Sequence, residues 1–391
     1  MRHETYKAED IDEIVWLRLN RLKSVKLCEN LIRTKLTKTP NSAITEEIIK
    51  SKAIGLSSAI DSAIGYWQVN PQSVNAKVLS RYYFLLQMTI AEQVSSVKNT
   101  DDLKTVQKHT ENGHGLATIS NANGDFPTNY YTLAIRSGHF YSYVKSLGIN
   151  TKTFDFEKRP RKFEEITDNS KLVSLIDLFR RIPELSNIVE EYTDQPPLSF
   201  HIGHSNINMR DDLDAVKEHI DRTGKFVLSA PITSPQRTTY VSIYSESVKV
   251  SIDYLSSLGL PLTNFRIAEK SAFSNERIIV GQMVHPTDNY WHQCLDTYHS
   301  SYAPTSLIVP LWGATTDIIV INFTLLYTLS IIVRYLPDLW YRINSGDLNH
   351  IGSLTEYYVS IIDHIVPLKM LERITEAHIS IHQPGSLFGP M

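Results

Sequence analysis

The stretch IVPLWGATTDIIVINFTLLYTLSIIVRYLPDLW, residues 308–340, decides the fold of this 391-residue chain. Residues 318–333 carry no charge and lie between Asp317 and Arg334. A membrane-spanning helix needs about 20 mostly apolar residues, and this run is shorter and contains Asn, Thr, Tyr and Ser. A helix that is apolar on nearly every face but too short for a bilayer belongs in the core of a soluble protein. The stretch therefore predicts a buried central helix, which Pro337 prevents from continuing far.

Composition narrows the class of protein. A length of 391 residues allows two or three packing units, and 42% hydrophobic with 21% charged residues is typical of a folded soluble chain. The net charge of −3 argues against a dedicated nucleic-acid binder. Two cysteines, Cys28 and Cys294, give no disulfide framework and favour a reducing compartment. The charged N-terminus lacks the apolar core of a signal peptide, so we expect a cytoplasmic protein without a membrane segment.

Hydrophobic periodicity organises the chain into three regions. Helical spacing dominates 9–36, 45–66, 74–97 and, near the end, 354–379, whereas 130–144 is ambiguous between strand and helix. After Pro196 the pattern changes to short β-branched runs separated by two helices. The predicted middle strands are 198–202, 225–230, 238–244, 265–268 and 277–284, and the predicted helices are 211–222 and 247–258.

These patterns predict an α+β protein that is predominantly α-helical. We expect an N-terminal helical region at 1–195, a mixed α/β subdomain at 196–310 and a C-terminal helical region at 311–391. The two helical regions are expected to share one core, into which the middle segment is set.

Two histidine-containing segments invite a functional interpretation. His201-Ile202-Gly203-His204 has the HIGH sequence of class I aminoacyl-tRNA synthetases, but SNINMRDD follows it instead of an apolar helix, and no KMSKS-like loop occurs later. The second segment contains His285, His292, Cys294 and His299. Structural zinc sites usually show two tight ligand pairs, and only His292 and Cys294 are close enough, so we expect a packed loop and no bound metal.

Gly113-His114-Gly115 predicts a tight turn. Two glycines around a histidine mark a place where the backbone passes close to another part of the chain.

Arg373 and His378 are the candidate catalytic residues. Their R-x4-H spacing resembles that of HEPN ribonucleases, in which the arginine holds the scissile phosphate and the histidine helps the 2′-hydroxyl attack it, usually across a dimer. Here Ile374 stands where the motif favours a polar residue. On one helix an offset of five residues also turns two side chains about 140° apart. The alternative is two surface residues on a terminal helix.

Several segments in order resemble the bacterial YaaC-like proteins. They are HGL (114–116), SLIDLFRRIPELSNIVEEY (174–192), INFTLLYTLSIIVRYLPDLW (321–340) and a long helix through 361–371. The most specific piece is RYLPDLW (334–340). The resemblance implies a cytoplasmic, largely helical protein without an established activity, so it supplies no catalytic residues.

Two functions therefore stay open. The first is a non-enzymatic protein that acts through protein–protein interaction, with a second copy or another protein as partner, as a component of a multi-protein bacterial system. The alternative is a metal-independent HEPN-type ribonuclease, a toxin or antiphage defence effector, that uses Arg373 and His378 on RNA. No Walker loop, GxSxG elbow, paired CxxC or HExxH motif occurs in the sequence, and we expect no cofactor. The apolar band of the last helix is wide enough to predict a homodimer, unless it wraps the central helix.

Overall fold

The computed structural model describes residues 2–39, 43–69, 71–204, 236–268, 277–286, 289 and 291–382. Helices predominate and several small sheets accompany them, so the predicted α+β, mostly helical class is confirmed. The chain divides into a first unit, residues 1–178 and 311–391, and a second unit, residues 179–310. The predicted helix 211–222 and strand 225–230 lie outside the described residues.

The α-helices of the described residues follow in chain order. They are α1 (Ile11–Arg21), α2 (Val25–Leu36), α3 (Glu46–Gln68), α4 (Val74–Ser95), α5 (Leu103–Glu111), α6 (Gly138–Ser146), α7 (Leu175–Phe179), α8 (Val189–Thr193), α9 (Ile252–Ser257), α10 (Trp291–Cys294), α11 (Ile318–Tyr335), α12 (Pro337–Ser345) and α13 (Asn349–Thr375). Short 3₁₀ turns occur at Thr151–Thr153, Phe163–Glu165, Asn169–Lys171 and Pro183–Leu185.

The strands form three sheets. They are β1 (Arg2–Lys7), β2 (Leu116–Ser120), β3 (Tyr130–Ile135), β4 (Asp155–Phe156), β5 (Val173–Ser174), β6 (Ser199–His204), β7 (Gln236–Ser245), β8 (Thr263–Ile267), β9 (Arg277–Pro286), β10 (Ser306–Ile308) and β11 (Ala377–His382). One sheet pairs β1 with β11, the second has the order β2-β3-β4 with β5 also on β3, and the third has the order β10-β6-β7-β9-β8.

Helix α11 is the central helix of the first unit, as residues 308–340 predict. Asp317 caps it, since one carboxylate oxygen accepts hydrogen bonds from the backbone N–H groups of Ile319 and Val320. It is long and apolar enough to span a membrane by length and composition alone, but 72% of it is buried inside the protein. Its Asn, Thr and Ser side chains donate to carbonyls three or four residues earlier, and Tyr327 donates to the carbonyl of Leu116. These donors are therefore satisfied in the core.

Helix α13 packs most of its apolar band inside its own chain. Its buried residues include Tyr358, Ile362 and Leu371, while Tyr357 is 45% exposed. Tyr358 also donates a 2.8 Å hydrogen bond to the side-chain oxygen of Asn322 in α11. Much of the band is therefore buried within the chain, where α13 packs mainly against α4 and also contacts α11. The homodimer stays a prediction. The helix also continues through Pro367.

The C-terminal helix ends earlier than predicted. Thr375 is its last residue, Glu376 adopts φ 51°, and the chain then enters strand β11. This strand pairs in parallel with β1, from Arg2 opposite Ala377 to Lys7 opposite His382. Helical periodicity could not detect the change, because the pairing joins residues about 375 positions apart in sequence.

The ambiguous segment 130–144 contains both elements, strand β3 and then helix α6. The hydroxyl oxygens of Thr132 in β3 and Thr328 in α11 lie 2.6 Å apart in the core, which fixes this sheet on the central helix.

The second unit has its own hydrophobic core under the five-stranded antiparallel sheet. Phe200, Ile243 and Leu255 are among its buried members. Near the start of the unit, the carbonyl of Arg180 accepts a 2.7 Å hydrogen bond from the N–H of Leu198, the residue before β6. The unit therefore begins before Pro196, where the sequence pattern changes.

Candidate functional site

Arg373 lies in the last turn of α13 at the centre of a polar network. Its Nε donates to Glu92 of α4 at 2.9 Å, and its Nη1 donates to both carboxylate oxygens of Asp317 at 2.9 and 2.7 Å. The side chain is 22% exposed. Burial alone would lower the pKa of Arg373, but Tyr143, Asp317 and Glu92 raise it further than burial lowers it. The guanidinium is therefore held charged between two carboxylates.

Tyr143 of α6 completes this network. Its hydroxyl donates a 2.8 Å hydrogen bond to the other carboxylate oxygen of Glu92. Burial and the neighbouring Glu92 raise the pKa of Tyr143 well above its usual value, so the phenol stays neutral. The network joins α4, α6, α11 and α13. It therefore acts as a structural cross-link between these helices.

His378 lies on strand β11 and not on the helix that carries Arg373. Its Nδ1 is 3.0 Å from a carboxylate oxygen of Glu372, and its ring meets His3 edge-on with centroids 5.3 Å apart. The helical offset of about 140° therefore does not describe this pair. Arg373 and His378 each contact a different carboxylate, and Arg373 is not the surface residue that the alternative interpretation expected.

The HIGH sequence lies wholly within strand β6. The two ring nitrogens of His201 lie 2.9 Å from the hydroxyl of Ser186 and 3.0 Å from that of Ser306. Burial lowers the pKa of His201, so the ring is neutral near pH 7. The neighbouring cavity of about 550 Å³ is lined by Glu190, Glu191, Asp194 and Glu246 against one lysine, Lys249. This acidic wall would repel the phosphates of ATP, so the site does not resemble that of a synthetase.

The sequence predicts that no metal binds in the segment that contains His285, His292, Cys294 and His299. The Nε2 of His285 is 2.8 Å from the hydroxyl of Thr239, and its Nδ1 is 3.0 Å from a backbone carbonyl. Cys294 is exposed. Within the residues that the structure describes, no group of three or more His, Cys, Asp or Glu side chains is placed to hold a metal ion.

The turn at Gly113-His114-Gly115 passes against the start of α6. The backbone carbonyl of Gly113 accepts from the N–H of His139, and that of His114 accepts from the N–H of Phe140. A Cβ atom on Gly115 would lie 2.8 Å from the carbonyl oxygen of Ser137. The tight turn predicted from the two glycines is therefore confirmed.

A surface cluster joins three tyrosines to an arginine, and we call Tyr66, Tyr83, Arg334 and Tyr335 the aromatic–arginine patch. The rings of Tyr66 and Tyr83 stack with centroids 5.2 Å apart. The guanidinium carbon of Arg334 lies 6.0 Å from the ring centre of Tyr83 and 5.1 Å from that of Tyr335. Tyr335 is 64% exposed and Tyr66 39% exposed. The patch is a half-buried cation with exposed aromatic rings beside it.

Contacts within the chain hold Arg334 in place. Its Nε donates to the carbonyl of Ser330 at 3.1 Å, its Nη2 donates to the hydroxyl of the same residue at 3.1 Å, and its Nη1 donates to the hydroxyl of Tyr83 at 3.3 Å. Among the described residues no carboxylate forms an ion pair with Arg334. The sequence signal for this patch is RYLPDLW, whose first two residues belong to it. Tyr66 and Tyr83 come from distant helices and had no such signal.

Comparison with known proteins gives one match. A family model described as YaaC-like Protein matches residues 23–374, which include the Arg373 network and the aromatic–arginine patch. No curated protein and no solved structure matches the chain.

Proposed function

We propose that this chain, which belongs to the YaaC-like protein family, is a non-enzymatic cytoplasmic protein that binds another protein, as a component of a multi-protein bacterial system. The observation that supports the proposal is the aromatic–arginine patch. Tyrosine and arginine are enriched among the residues that dominate binding energy at protein interfaces. Rings that are already stacked and a guanidinium that is already held lose little conformational freedom on binding.

The chemistry of the patch favours one kind of partner segment. Arg334 presents a positive charge without an ion-pair partner among the described residues, and the exposed ring of Tyr335 beside it offers apolar area. A partner segment with a carboxylate next to an apolar side chain would meet both features. Such a charge-assisted hydrogen bond is about twice as strong as a neutral one.

The contacts of Arg373 favour this function over the ribonuclease alternative. A phosphate-binding arginine needs free donors, whereas Arg373 already donates to Glu92 and Asp317. A phosphate approaching it would also meet both carboxylates. Incubating the purified protein with mixed RNA, without metal and beside His378→Ala, separates the two functions, because cleavage by the wild type alone would overturn the binding proposal.

The direct test measures a partner in two steps. Proteins retained from an extract of the native cells are identified, each candidate is purified, and its Kd for the chain is measured by titration calorimetry. We expect Tyr335→Ala and Arg334→Gln to weaken binding at least tenfold, which corresponds to about 1.4 kcal/mol. Tyr341→Ala is the matched control, since Tyr341 is a tyrosine that is 67% exposed outside the patch.

A second copy of the chain is the other partner that the same variants test. Light scattering at micromolar concentration would then show a dimer that Tyr335→Ala converts to monomer. A candidate partner whose affinity is unchanged by both patch variants, together with a monomeric wild type, would contradict the proposal.

A further inference from the structure

The two hydroxyls that contact His201 come from different parts of the second unit. Ser186 follows the 3₁₀ turn Pro183–Leu185. Ser306 begins strand β10 and lies opposite His201 of β6. The Nε2 atom of His201 is 2.9 Å from the hydroxyl of Ser186, and its Nδ1 atom is 3.0 Å from the hydroxyl of Ser306. Two hydrogen bonds therefore join a serine, a histidine and a second serine in a row.

A third contact assigns the hydrogen atoms of this row. The hydroxyl of Ser306 lies 2.8 Å from the backbone carbonyl of Pro304, which can only accept, so the single hydroxyl proton of Ser306 is used there. Ser306 then accepts from His201, which places the ring proton on Nδ1. Burial lowers the pKa of His201, so the ring is neutral and its Nε2 carries a lone pair. The O–H of Ser186 therefore donates to Nε2, which is the arrangement of a nucleophile and its general base.

Ser186 is half-buried and lines two neighbouring cavities. The cavities have volumes of about 550 and 330 Å³, and both are lined by Ser186, Asn187, His201 and Tyr244. Neither the backbone N–H nor the side-chain amide of Asn187 forms a hydrogen bond within the part of the chain that the structure describes. Acyl-transferring enzymes use such a donor, on the residue after the nucleophile, to stabilise the developing oxyanion.

Contacts behind Ser186 hold its turn in place. The carboxylate of Glu184 accepts a 2.6 Å hydrogen bond from the hydroxyl of Tyr298 and a 2.7 Å hydrogen bond from that of Ser300. The N–H of Ser186 donates to the carbonyl of Pro183 at 3.2 Å. A serine on an anchored turn meets its histidine in one geometry, and a fixed geometry of the reacting groups lowers the entropic part of a reaction barrier.

We infer that Ser186 is the nucleophile of an esterase site, with His201 as its general base and Ser306 as the residue that positions the histidine. The Oγ atom of Ser186 bonds to the carbonyl carbon of the ester, while its proton moves to Nε2 of His201. The bond from that carbon to the leaving alcohol then breaks, and the alcohol takes the proton. Water next gives a proton to His201 as its oxygen bonds to the acyl carbon, and Ser186 leaves with that proton. The carboxylic acid is released and the serine is restored.

The inference goes beyond the proposed binding function. That function concerns the aromatic–arginine patch of the first unit, whereas the esterase site belongs to the second unit. The description non-enzymatic is thereby limited to the first unit. The two proposals are tested by different variants, so either can fail without the other.

The wall of the larger cavity indicates the class of ester. Four carboxylates line it: Glu190, Glu191, Asp194 and Glu246. One lysine, Lys249, lies among them and is paired with Asp194. This negative charge disfavours an anionic acyl group, so the substrate is a neutral or positively charged ester. The third group of the row is a hydroxyl, which stabilises an imidazolium less than a carboxylate does. The site therefore favours esters over amides, whose amine leaves less readily.

Hydrolysis by the full chain of three p-nitrophenyl esters with one leaving group tests the site. The acyl groups are acetate, which is neutral, the succinate monoester, which is negative, and trimethylammoniobutyrate, which is positive. We expect kcat/KM to fall from the positive to the neutral to the negative ester. Ser186→Ala and His201→Gln should each lower kcat at least about a hundredfold. Ser256→Ala is the matched control and should leave kcat unchanged, because Ser256 is an exposed serine on α9 that lines neither cavity.

Two further measurements separate catalysis from folding. A fluorophosphonate should attach to Ser186 in the wild type, where mass spectrometry of the digested protein locates it. Ser306→Ala should move the acid limb of the pH–rate profile to lower pH, because the imidazolium of His201 loses an acceptor, whereas a purely structural loss would lower the rate without moving that limb. Thermal melting shows whether the variants remain folded.

Three results would each overturn the inference. The first is hydrolysis by Ser186→Ala as fast as by the wild type, and the second is a fluorophosphonate that leaves Ser186 unlabelled. The third is a kcat/KM for the negative ester as high as that for the positive one.

Discussion

The carboxylate of Asp317 forms two different contacts at once, since it caps the start of α11 and pairs with Arg373 from the end of α13. One oxygen accepts from the N–H groups of Ile319 and Val320 at 2.9 and 3.1 Å, and the other lies 2.7 Å from the guanidinium. The beginning of the central helix and the end of the last long helix are therefore fixed to each other by one side chain.

Removing Arg373 should destabilise the protein strongly. Arg373→Ala leaves the carboxylates of Asp317 and Glu92 without their cation, and breaking a buried pair from one side costs about 3–5 kcal/mol. Urea unfolding measures the loss. The control is Arg342→Ala, because the ion pair of Arg342 with Asp347 is solvent-exposed on both sides and should contribute little to stability. Equal, small losses in the two variants would show that the network around Arg373 is not structural.

A charge in the middle of α11 should prevent folding. Leu325 and Leu329 are 0% exposed, so Leu325→Asp or Leu329→Asp buries a carboxylate with no partner, at a cost of several kcal/mol. We expect insoluble or unfolded protein from at least one of them. Leu17→Asp on α1 is the control, because Leu17 is 59% exposed and the new charge stays in water. Normal yield and an unchanged Tm for both core variants would contradict the burial of α11.

Gly138 should tolerate no side chain. Its φ is +84°, and an added Cβ would lie 2.5 Å from the carbonyl oxygen of Gly113 and 2.6 Å from the N–H nitrogen of Gly115. Gly148 has φ +80° with nothing within 4 Å of such a Cβ, so it isolates the cost of the backbone conformation. We expect Gly148→Ala to cost about 1–2 kcal/mol and Gly138→Ala clearly more. Similar melting temperatures of the two variants would mean that the turn yields easily.

Acid should destabilise the first unit through His139. Burial, with smaller contributions from the charges of His114 and His109, lowers the pKa of His139 to about 3. The unfolded chain binds a proton at about pH 6.5, so between pH 6.5 and 3 the unfolded state holds more protons and the free energy of unfolding falls as pH falls. This contribution is fully present above pH 6.5.

A neutral substitution isolates this effect. His139→Gln keeps a donor for the hydroxyl of Thr89, which lies 2.9 Å from the ring Nε2, and removes the titrating group. From pH 7 to 4.5 we expect the variant to lose about 2–3 kcal/mol less stability than the wild type in urea unfolding. Parallel losses in both proteins would show that another group causes the acid sensitivity.

The helices could be predicted from sequence because their signal is local. Residues 318–333 are apolar without a break, and the structure places α11 at Ile318–Tyr335. The glycine turn was predictable for the same reason, since two glycines around one histidine specify a backbone geometry that other residues rarely adopt.

The candidate sites were less predictable, because they combine residues from distant segments. Tyr83 and Arg334 are 251 positions apart and meet only in the folded chain. Arg373 has an ordinary sequence context, and only the approach of Glu92 and Asp317 identifies it as a cross-link. The same limit concealed strand β11, whose partner is at the opposite end of the sequence.

The parallel pairing of β1 with β11 also sets the order of events during protein synthesis. Residues Arg2–Lys7 leave the ribosome well before their partner strand Ala377–His382, which is translated only after about 370 further residues. At a translation rate of about 5–20 residues per second, β1 waits for roughly 20–70 seconds with its backbone donors and acceptors unpaired. During that interval the edge is open to a chaperone or to the strand of another chain, and it closes only after β11 has been translated.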